Sequence, residues 1–277
     1  MEPRDPHPLA GRTALVTGVS RRAGIGYAIA RRLLGYGARV VVHHHVPHDA
    51  RQPWGADPGG IEAVLDGLRA TGSLAGDVAA DLVEPDAPVR VVDAAVRLLG
   101  HLDALVCNHA RSNPDGALGA LDAEILDGHW AVDARSTILL AQEFAARHDG
   151  RAGGRIVFLT SGQGLGPMPG EVGYAAAKGA LAAITGTLAD QLADVGITLN
   201  TVNPGPVDTG YLPPAVHAAV APRFPGGRWA EPDDPARLIA WLVTDEARSI
   251  TGQVIDSEGG FRRWEPGADW PPVRWDS

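Results

Sequence analysis

The residues with the clearest capacity for chemistry are a tyrosine and a lysine in the second half of the chain. Lys178 is the only lysine among 24 lysines and arginines. A lysine ammonium is a compact point charge, whereas an arginine guanidinium is a rigid fork, so the two are not interchangeable. Tyr174 precedes Lys178 by four residues, and on a helix the two side chains share one face. A nearby cation favours the phenolate, which predicts that Tyr174 is a usable general acid or base near neutral pH.

A serine lies upstream of this pair in a position that suits the same chemistry. Ser161 comes just after the apolar run 155–159, which has the composition of a buried strand. Its hydroxyl can bond the oxygen of a reacting carbonyl or alcohol. Taken alone, Tyr174 and Lys178 are equally well read as an ordinary pair on a helix, so the rest of the chain has to decide.

Length and composition restrict the class of protein. The chain has 277 residues, of which 45% are hydrophobic, and this suits one large α/β domain. A net charge of −9 argues against a nucleic-acid partner. No apolar run reaches the roughly 18 residues of a membrane span, and the N-terminus lacks the apolar core of a signal peptide. With Cys107 as the single cysteine, we expect a reducing compartment, the cytoplasm.

A glycine-rich loop near the N-terminus predicts a phosphate-binding cradle. It follows the short apolar run 13–17 and precedes residues 27–34, which have helical spacing. Strand, glycine loop and helix in this order place backbone N–H groups near a pyrophosphate at the helix N-terminus. The alternative is a glycine-rich turn without a ligand. The three glycines of the pattern are Gly18, Gly24 and Gly26.

The end of the second strand, residues 39–43, bears on which dinucleotide is preferred. An acidic residue there would bond the adenosine 2′-hydroxyl and repel a 2′-phosphate. This chain carries basic groups instead, namely His44, His45, Arg21 and Arg22. They favour NADP(H), although Asp49 could fold back and leave NAD(H) possible.

Four histidines in this region raise the question of a metal site. They are His43, His44, His45 and His48. Neighbouring strand residues point to opposite faces, and no cysteine or close carboxylate completes a ligand set. We therefore predict no metal here.

The order of these motifs resembles the short-chain dehydrogenase/reductase family. Ser161, Tyr174 and Lys178 have the order and spacing of its catalytic core. The glycine loop is similar to T-G-x-x-x-G-x-G, with two extra residues between the first two glycines. Asn108 and the pair Pro204-Gly205 match further family segments. The resemblance covers residues 11–261 and implies an α/β, Rossmann-type doubly wound sheet of seven parallel strands with helices on both faces.

The resemblance also implies a set of cofactor contacts. Val207 would lend backbone groups to the nicotinamide carboxamide, and Asp81 would lie near the adenine ring. The full implied set is Gly18, Ser20, Arg21, Arg22, Gly24, Ile25, Gly26, His45, Asp81, Leu82, Asn108, His109, Tyr174, Lys178, Pro204, Gly205, Val207 and Thr209.

One position in the implied catalytic site departs from the family. Within the long helical pattern 123–147, relatives carry a catalytic asparagine that holds a water through a helix kink. This chain has Asp133 there. An aspartate still accepts a hydrogen bond from a water, but it adds negative charge near Lys178, which favours the lysine ammonium.

The implied activity is NAD(P)H-dependent reduction of a ketone to a secondary alcohol, as in 3-oxoacyl-carrier-protein reductases. Tyr174 would give the proton, Ser161 would bond the oxygen, and Lys178 would lower the pKa of Tyr174 and hold the nicotinamide ribose. Enoyl reductases place their tyrosine seven residues before the lysine, where this chain has Glu171. A cofactor-binding regulator without turnover is the other alternative. Relatives imply a homo-oligomer, a tetramer or dimer.

The chain is expected to form one domain with two tails. Residues 1–10 read as a flexible tail, residues 11–261 as the domain, and residues 262–277 as a Trp- and Pro-rich tail that docks on its own or a neighbouring subunit. Residues of about 208–229 are expected to form a lid over the substrate. Its apolar side chains could form a substrate wall or pack the lid on the core; they are Tyr211, Leu212, Val216, Phe224 and Trp229.

Overall fold

A single parallel sheet forms the centre of the protein. The computed structural model describes residues 5–263. Within them seven strands are hydrogen-bonded in the order β3-β2-β1-β4-β5-β6-β7, all in parallel. This confirms the predicted Rossmann-type sheet. The strands are β1 Thr13–Val16, β2 Arg39–His44, β3 Leu74–Ala79, β4 Ala104–Cys107, β5 Gly154–Leu159, β6 Ile197–Asn203 and β7 Val254–Asp256.

Helices connect the strands and cover the sheet. They are α1 Ile25–Gly35, α2 Val46–Ala50, α3 Gly60–Arg69, α4 Ala87–Leu99, α5 Ala123–His129, α6 Ser136–Arg147, α7 Val172–Ala193, α8 Pro214–Val220 and α9 Asp233–Leu242. A π-helical turn, Trp130–Arg135, joins α5 to α6. In the part of the chain that the structure describes, no helix is both long and apolar enough to cross a bilayer.

The core lies on both faces of the sheet because successive strand residues point in opposite directions. In β1, Leu15 belongs to one buried cluster and Val16 to the other. Helices α1, α3 and α9 contribute to the cluster of Val16, whereas α4, α6 and α7 contribute to that of Leu15. A parallel sheet covered on both faces leaves only its edges and strand ends open.

The strand order reverses between β1 and β4, which is where ligands bind in such sheets. The loops after these two strands are joined by Asn108, whose Nδ2 donates to the carbonyl oxygens of Thr17 at 3.0 Å and Gly18 at 3.1 Å. The predicted glycine loop and the Asn108 segment therefore meet at the switch point.

Two segments differ from the sequence expectation. Residues 46–60 are rich in proline and glycine, a composition that predicts a loop, but they include helix α2. Leu9, in the tail expected to be loose, is 3% exposed, and its N–H donates to the carbonyl of Tyr36 at 3.0 Å. Burial of the Leu9 side chain offsets part of the conformational entropy that the segment loses when it is ordered.

The close packing of the glycine loop yields a stability prediction. A Cβ on Gly26 would lie 2.5 Å from the oxygen of Gly18 and 2.6 Å from Nδ2 of Asn108, whereas a Cβ on Gly35 meets nothing within 4 Å. We expect Gly26→Ala to lose about 1–3 kcal/mol of unfolding free energy through overpacking. Gly35→Ala, in the same helix, should be neutral or gain up to about 1 kcal/mol. Denaturant unfolding of both variants measures this, and equal stabilities would contradict it.

Candidate active site

Helix α7 brings Tyr174 and Lys178 to the carboxyl ends of β4 and β5. The ammonium of Lys178 is 2% exposed; its Nζ donates to the carbonyl of Leu159 at 3.0 Å and lies 3.5 Å from that of His109. The same Nζ is 5.7 Å from the centre of the Tyr174 ring. Ser161, directly beyond β5, is hydrogen-bonded to the Tyr174 side chain. The three residues grouped from the sequence therefore lie together.

The electrostatics of Tyr174 differ from the sequence expectation. Burial and the charge of Asp133 raise the pKa of Tyr174, although the Ser161 hydrogen bond acts in the opposite direction. Burial also lowers the pKa of Lys178, against the attraction of Asp133. The net shift is therefore opposite in direction to the lowering expected from Lys178, because burial and the charge of Asp133 dominate it. At neutral pH Tyr174 is a protonated donor.

Asp133 lies in the π-helical turn and is fully buried. Its Oδ1 accepts a hydrogen bond from the N–H of Arg111 at 2.6 Å, and its Oδ2 lies 3.0 Å from Nδ1 of His129. His129 is also fully buried and was not singled out from the sequence. The available signal was its place four residues before Asp133, which puts both side chains on one helical face.

A second residue missed by sequence reasoning, Asp115, holds the start of helix α7. Its Oδ1 accepts from the N–H of Gly173 at 3.0 Å, and its Oδ2 accepts from the N–H of Tyr174 at 2.8 Å. A carboxylate at a helix N-terminus satisfies amides that lack intrahelical partners and complements the helix dipole. Asp115 lies in the loop after β4, so no local pattern relates it to α7.

The glycine loop has the shape needed for a dinucleotide pyrophosphate. Gly18 has a φ of +73°, and a Cβ there would lie 2.7 Å from the Cα of His109. Gly24 precedes α1, which starts at Ile25; within the described residues no side chain caps this helix and its first turn has no acid. The helix N-terminus is therefore available to an anion, and the residues present fit a phosphate-bearing cofactor.

The basic groups near the end of β2 are paired with carboxylates. Arg22 donates through its backbone N to Asp57 at 2.9 Å and through Nη2 at 2.7 Å, and these hydrogen bonds lower the pKa of Asp57 to about 2. His44 lies 3.1 Å from Asp77. The positive charge that the sequence suggests at this end of the site is thus largely compensated by neighbouring carboxylates.

His45 and Ser20, both expected to contact the cofactor, lie side by side. The N–H of His45 donates to Oγ of Ser20 at 3.3 Å, and its ring lies 3.5 Å from the carboxylate of Asp81. Asp49, which could have folded back toward β2, instead accepts from the indole N–H of Trp54 at 3.1 Å.

Residues 45–57 extend from β2 over the strand ends toward the opposite side of the site. Arg21 lies beneath the segment, 5.9 Å from the Trp54 ring, and donates to the carbonyl of Thr209 at 3.0 Å. The segment therefore joins the glycine loop to the region after β6. Its remote contacts are His48 with Ser112 at 3.4 Å, Gln52 with Asn113 at 3.2 Å and Trp54 with Tyr211 at 6.1 Å between ring centres.

Two residues expected at the cofactor have side chains directed elsewhere. The ring of His109 is buried, with Nδ1 2.7 Å from Thr17 and Nε2 2.7 Å from Ser136. Burial keeps the pKa of His109 well below its usual value. Leu82 is 3% exposed and belongs to the hydrophobic core. Either residue can reach a cofactor only through its backbone.

The segment after β6 is held by backbone contacts. Gly205, which follows Pro204, has a φ of +69°, and its backbone N–H donates to the side-chain Oδ1 of Asn203 at 3.0 Å. Val207 is 4% exposed and pairs with Ala230 in an isolated β-bridge. These contacts fix the region that the sequence assigned to the nicotinamide.

Four apolar residues of the expected lid divide into two groups. Phe224 and Trp229 are buried with their ring centres 4.8 Å apart, which favours lid packing for this pair. Tyr211 and Val216 are exposed and suit a substrate wall. Most of the C-terminal tail, residues 264–277, lies outside the described residues.

Neither a metal nor a thiol is indicated at this site. Within residues 5–263, no three His, Cys, Asp or Glu side chains are grouped so that they could hold a metal ion. Cys107 is 1% exposed, and burial raises the pKa of its thiol, which disfavours the nucleophilic thiolate.

Comparison with known proteins identifies the family. A family model described as Enoyl-(acyl carrier protein) reductase matches residues 18–262. The uncharacterized oxidoreductase YjdA of Bacillus subtilis (strain 168) is 41% identical, covering 91% of this chain and 97% of its own. The chain belongs to the short-chain dehydrogenase/reductase family. Ser161, Tyr174 and Lys178 are therefore candidates for the catalytic core of a member of this family.

Two solved family structures with bound cofactor are similar over the whole fold. The short-chain dehydrogenase of Burkholderia cenocepacia J2315 in complex with NADP is 35% identical with a TM-score of 0.79, covering 91% of this chain and 98% of that one. The angucycline C-6 ketoreductase LanV with bound NADP is 33% identical with a TM-score of 0.80, covering 91% and 96%.

The cap on helix α7 leads to a prediction about Asp115. Its Oδ atoms accept from Gly173 and Tyr174, and Asp122 caps α5 by accepting from Ile125 at 2.8 Å. We expect Asp115→Ala and Asp122→Ala each to lose about 1–2 kcal/mol of unfolding free energy. Only Asp115→Ala should also reduce turnover, because only this cap orients the segment that carries Tyr174. Equal activities of two folded variants would contradict this role.

The stabilisation from Asp115 should also depend on pH. Burial raises the pKa of its carboxyl, but hydrogen bonds from the backbone of Tyr174, Gly173 and Gly116 outweigh burial and lower it overall. A depressed pKa contributes stability that is present above the unfolded value of about 3.9 and lost as pH falls through the folded value. The stability difference between the wild type and Asp115→Ala should therefore shrink on acidification, as measured by urea unfolding at a series of pH values.

Proposed function

We propose that this protein is a carbonyl reductase that uses NADP(H) to convert a small-molecule ketone into a secondary alcohol. The observation that carries the proposal is the placement of the Tyr174 phenol beside Ser161 and the buried Lys178, whose Nζ lies 5.7 Å from the centre of the Tyr174 ring. A group that must deliver a proton to a developing alkoxide has to hold that proton at working pH. The ketoreductase LanV, similar over most of the chain, supports the substrate class.

Each side chain of the site has a distinct task in this proposal. The bound cofactor supplies a hydride. Ser161 donates a hydrogen bond to the carbonyl oxygen and fixes its position near Tyr174. Tyr174 donates its phenolic proton to that oxygen as negative charge develops there. The ammonium of Lys178, anchored on Leu159, stabilises the phenolate that remains.

The preference for NADP(H) rests on the positive groups beside the glycine loop. Arg21 and Arg22 come from this loop, and Arg22 retains a half-exposed side chain although it is paired with Asp57. Two similar solved structures contain NADP. A planar guanidinium suits bidentate binding of a phosphate, so we assign the 2′-phosphate to these arginines and leave NAD(H) as a weaker cofactor.

Enoyl reduction is the second candidate, because the matching family model carries that description. The tyrosine position of enoyl reductases is occupied here by Glu171, which forms the N-cap of α7. Glu171 therefore offers a carboxyl group in place of the phenol of the enoyl reductases, and although burial raises the pKa of Glu171, the ordinary pKa of a carboxyl lies far below that of a phenol. The regulator without turnover is tested by the same assay. The homo-oligomer and the cytoplasmic location stay predictions.

The proton donor is tested by substituting Tyr174. With a panel of ketones, NADPH oxidation by Tyr174→Phe should fall by about 100-fold or more, the usual contribution of a general acid. NADPH binding, followed by fluorescence, should persist. The matched control is Tyr36→Phe at the C-terminus of α1, which should keep its turnover. Unchanged turnover of Tyr174→Phe would sink the assignment, and NADPH binding without reduction of any carbonyl or enoyl substrate would favour the regulator.

The cofactor assignment is tested at the Arg22–Asp57 pair. Asp57→Asn removes a negative charge and frees Arg22, so the ratio of kcat/KM with NADPH to that with NADH should rise. Arg22→Ala should lower the ratio about tenfold or more, the effect of one charge-assisted hydrogen bond. A lower ratio of kcat/KM with NADPH to kcat/KM with NADH in Asp57→Asn would contradict the assignment.

A further inference from the structure

His129 is a buried histidine whose two ring nitrogens both face oxygen atoms. Its Nδ1 lies 3.0 Å from Oδ2 of Asp133. Its Nε2 lies 3.0 Å from the carbonyl oxygen of Pro114 and 3.5 Å from Oδ2 of Asp115. A neutral imidazole donates from only one nitrogen. The carbonyl of Pro114 can only accept, and an ionised Asp133 can only accept as well, so beside the aspartate anion both ring nitrogens donate and the ring is an imidazolium.

The charges around this ring are balanced by the imidazolium. Asp133 and His129 are fully buried, and the side chain of Asp115 is 3% exposed. A buried carboxylate without a cation is strongly destabilised. Burial disfavours the charged ring, but the hydrogen bond and charge of Asp133 and the charge of Asp115 outweigh it and raise the pKa of His129.

Every element packed against the ring places a relevant group beside it. The π-helical turn supplies Asp133, and the loop after β4 supplies Asp115. Helix α7 supplies Tyr174, whose ring is edge-on to the imidazole at 6.2 Å. The start of α7 adds Glu171, whose charge also interacts with His129. The imidazole ring therefore contacts both the π-helical turn, which carries Asp133, and helix α7, which carries Tyr174.

Helix α7 is shaped to receive the imidazole. A Cβ on Gly173 would lie 2.8 Å from Cδ2 of His129, so only a glycine at this position admits the ring at its present depth. Asp115 continues the connection, because the same carboxylate that faces His129 accepts the N–H of Tyr174. Asp133, His129 and Asp115 therefore form one chain from the π-helical turn to the tyrosine.

We propose that His129 is a positioning residue that neutralises Asp133 and ties the π-helical turn, through Asp115, to the start of the helix that carries Tyr174. It does not touch the reacting atoms. By neutralising the carboxylate, His129 allows an aspartate to occupy the position where the family resemblance implies an asparagine. This inference rests on the proposed carbonyl reduction and assigns a further residue to it.

The test is a double-mutant cycle of His129→Gln, Asp133→Asn and the double variant, with the full-length protein, NADPH and the best ketone of the panel. His129→Gln leaves a buried anion at Asp133 and should lower kcat about tenfold or more. Adding Asp133→Asn removes that anion and should restore kcat to within about threefold of the wild type. The kcat of the wild type should fall as pH rises and His129 loses its proton. The kcat of His129→Gln and of the double variant should not show this fall.

The outcomes separate positioning from a merely structural role. Losses that add in the folded double variant, or a folded His129→Gln with unchanged kcat and pH profile, overturn the proposal. If His129→Gln fails to fold, the double variant alone decides, since it should fold and turn over. The matched control is His101→Gln, which breaks the His101–Asp103 pair of 3.0 Å at the other end of β4 and should leave kcat and its pH profile unchanged.

A readout that needs no turnover keeps this proposal distinct from the proposed function. In ¹⁵N-histidine NMR spectra the His129 signal, identified by its absence from the double variant, should show both nitrogens protonated at neutral pH. A neutral ring there overturns the proposal whatever the activity. If the ring is doubly protonated but the protein reduces no carbonyl, the His129–Asp133 ion pair is supported. The proposed carbonyl reductase function is then the one that is refuted.

Discussion

The burial of one ammonium group is the constraint on which the site depends. A charge removed from water costs several kcal/mol unless polar groups replace the water. Lys178 meets this requirement with the carbonyl of Leu159 at the end of β5 and, farther away, that of His109 beyond β4. These two oxygens converge because β4 and β5 are parallel neighbours in the sheet. The sheet therefore fixes Lys178, and the phenol one helical turn earlier takes its position from it.

Compensation of charge is the second theme of the site. Asp133 sits beside His129, whose two ring nitrogens both face oxygen atoms, and Arg22 at the opposite end is paired with Asp57. The partner of Asp133 lies four residues earlier on the same helical run, whereas the partner of Arg22 lies 35 residues later in the chain. The low dielectric of a buried site makes such pairing close to obligatory.

Much of the fold and the core of the site could be predicted because their signals are local. The apolar runs before Gly18 and Ser161 both became central strands, and the strand order confirmed the doubly wound sheet. The contacts that were missed join distant parts of the chain: Asp115 bonds the N–H of Tyr174 59 residues later. Nor could spacing show that burial and Asp133 raise the pKa of Tyr174, since desolvation depends on the packed structure.

The solitary lysine has a practical consequence for experiments on this chain. An endoprotease that cleaves only after lysine has one target bond in the whole sequence, between Lys178 and Gly179. That bond lies inside α7, and the lysine is 2% exposed. Cleavage requires a local opening of the helix, because a protease binds its substrate as extended backbone. The rate of this single cut therefore reports the opening of the catalytic helix without any engineered label.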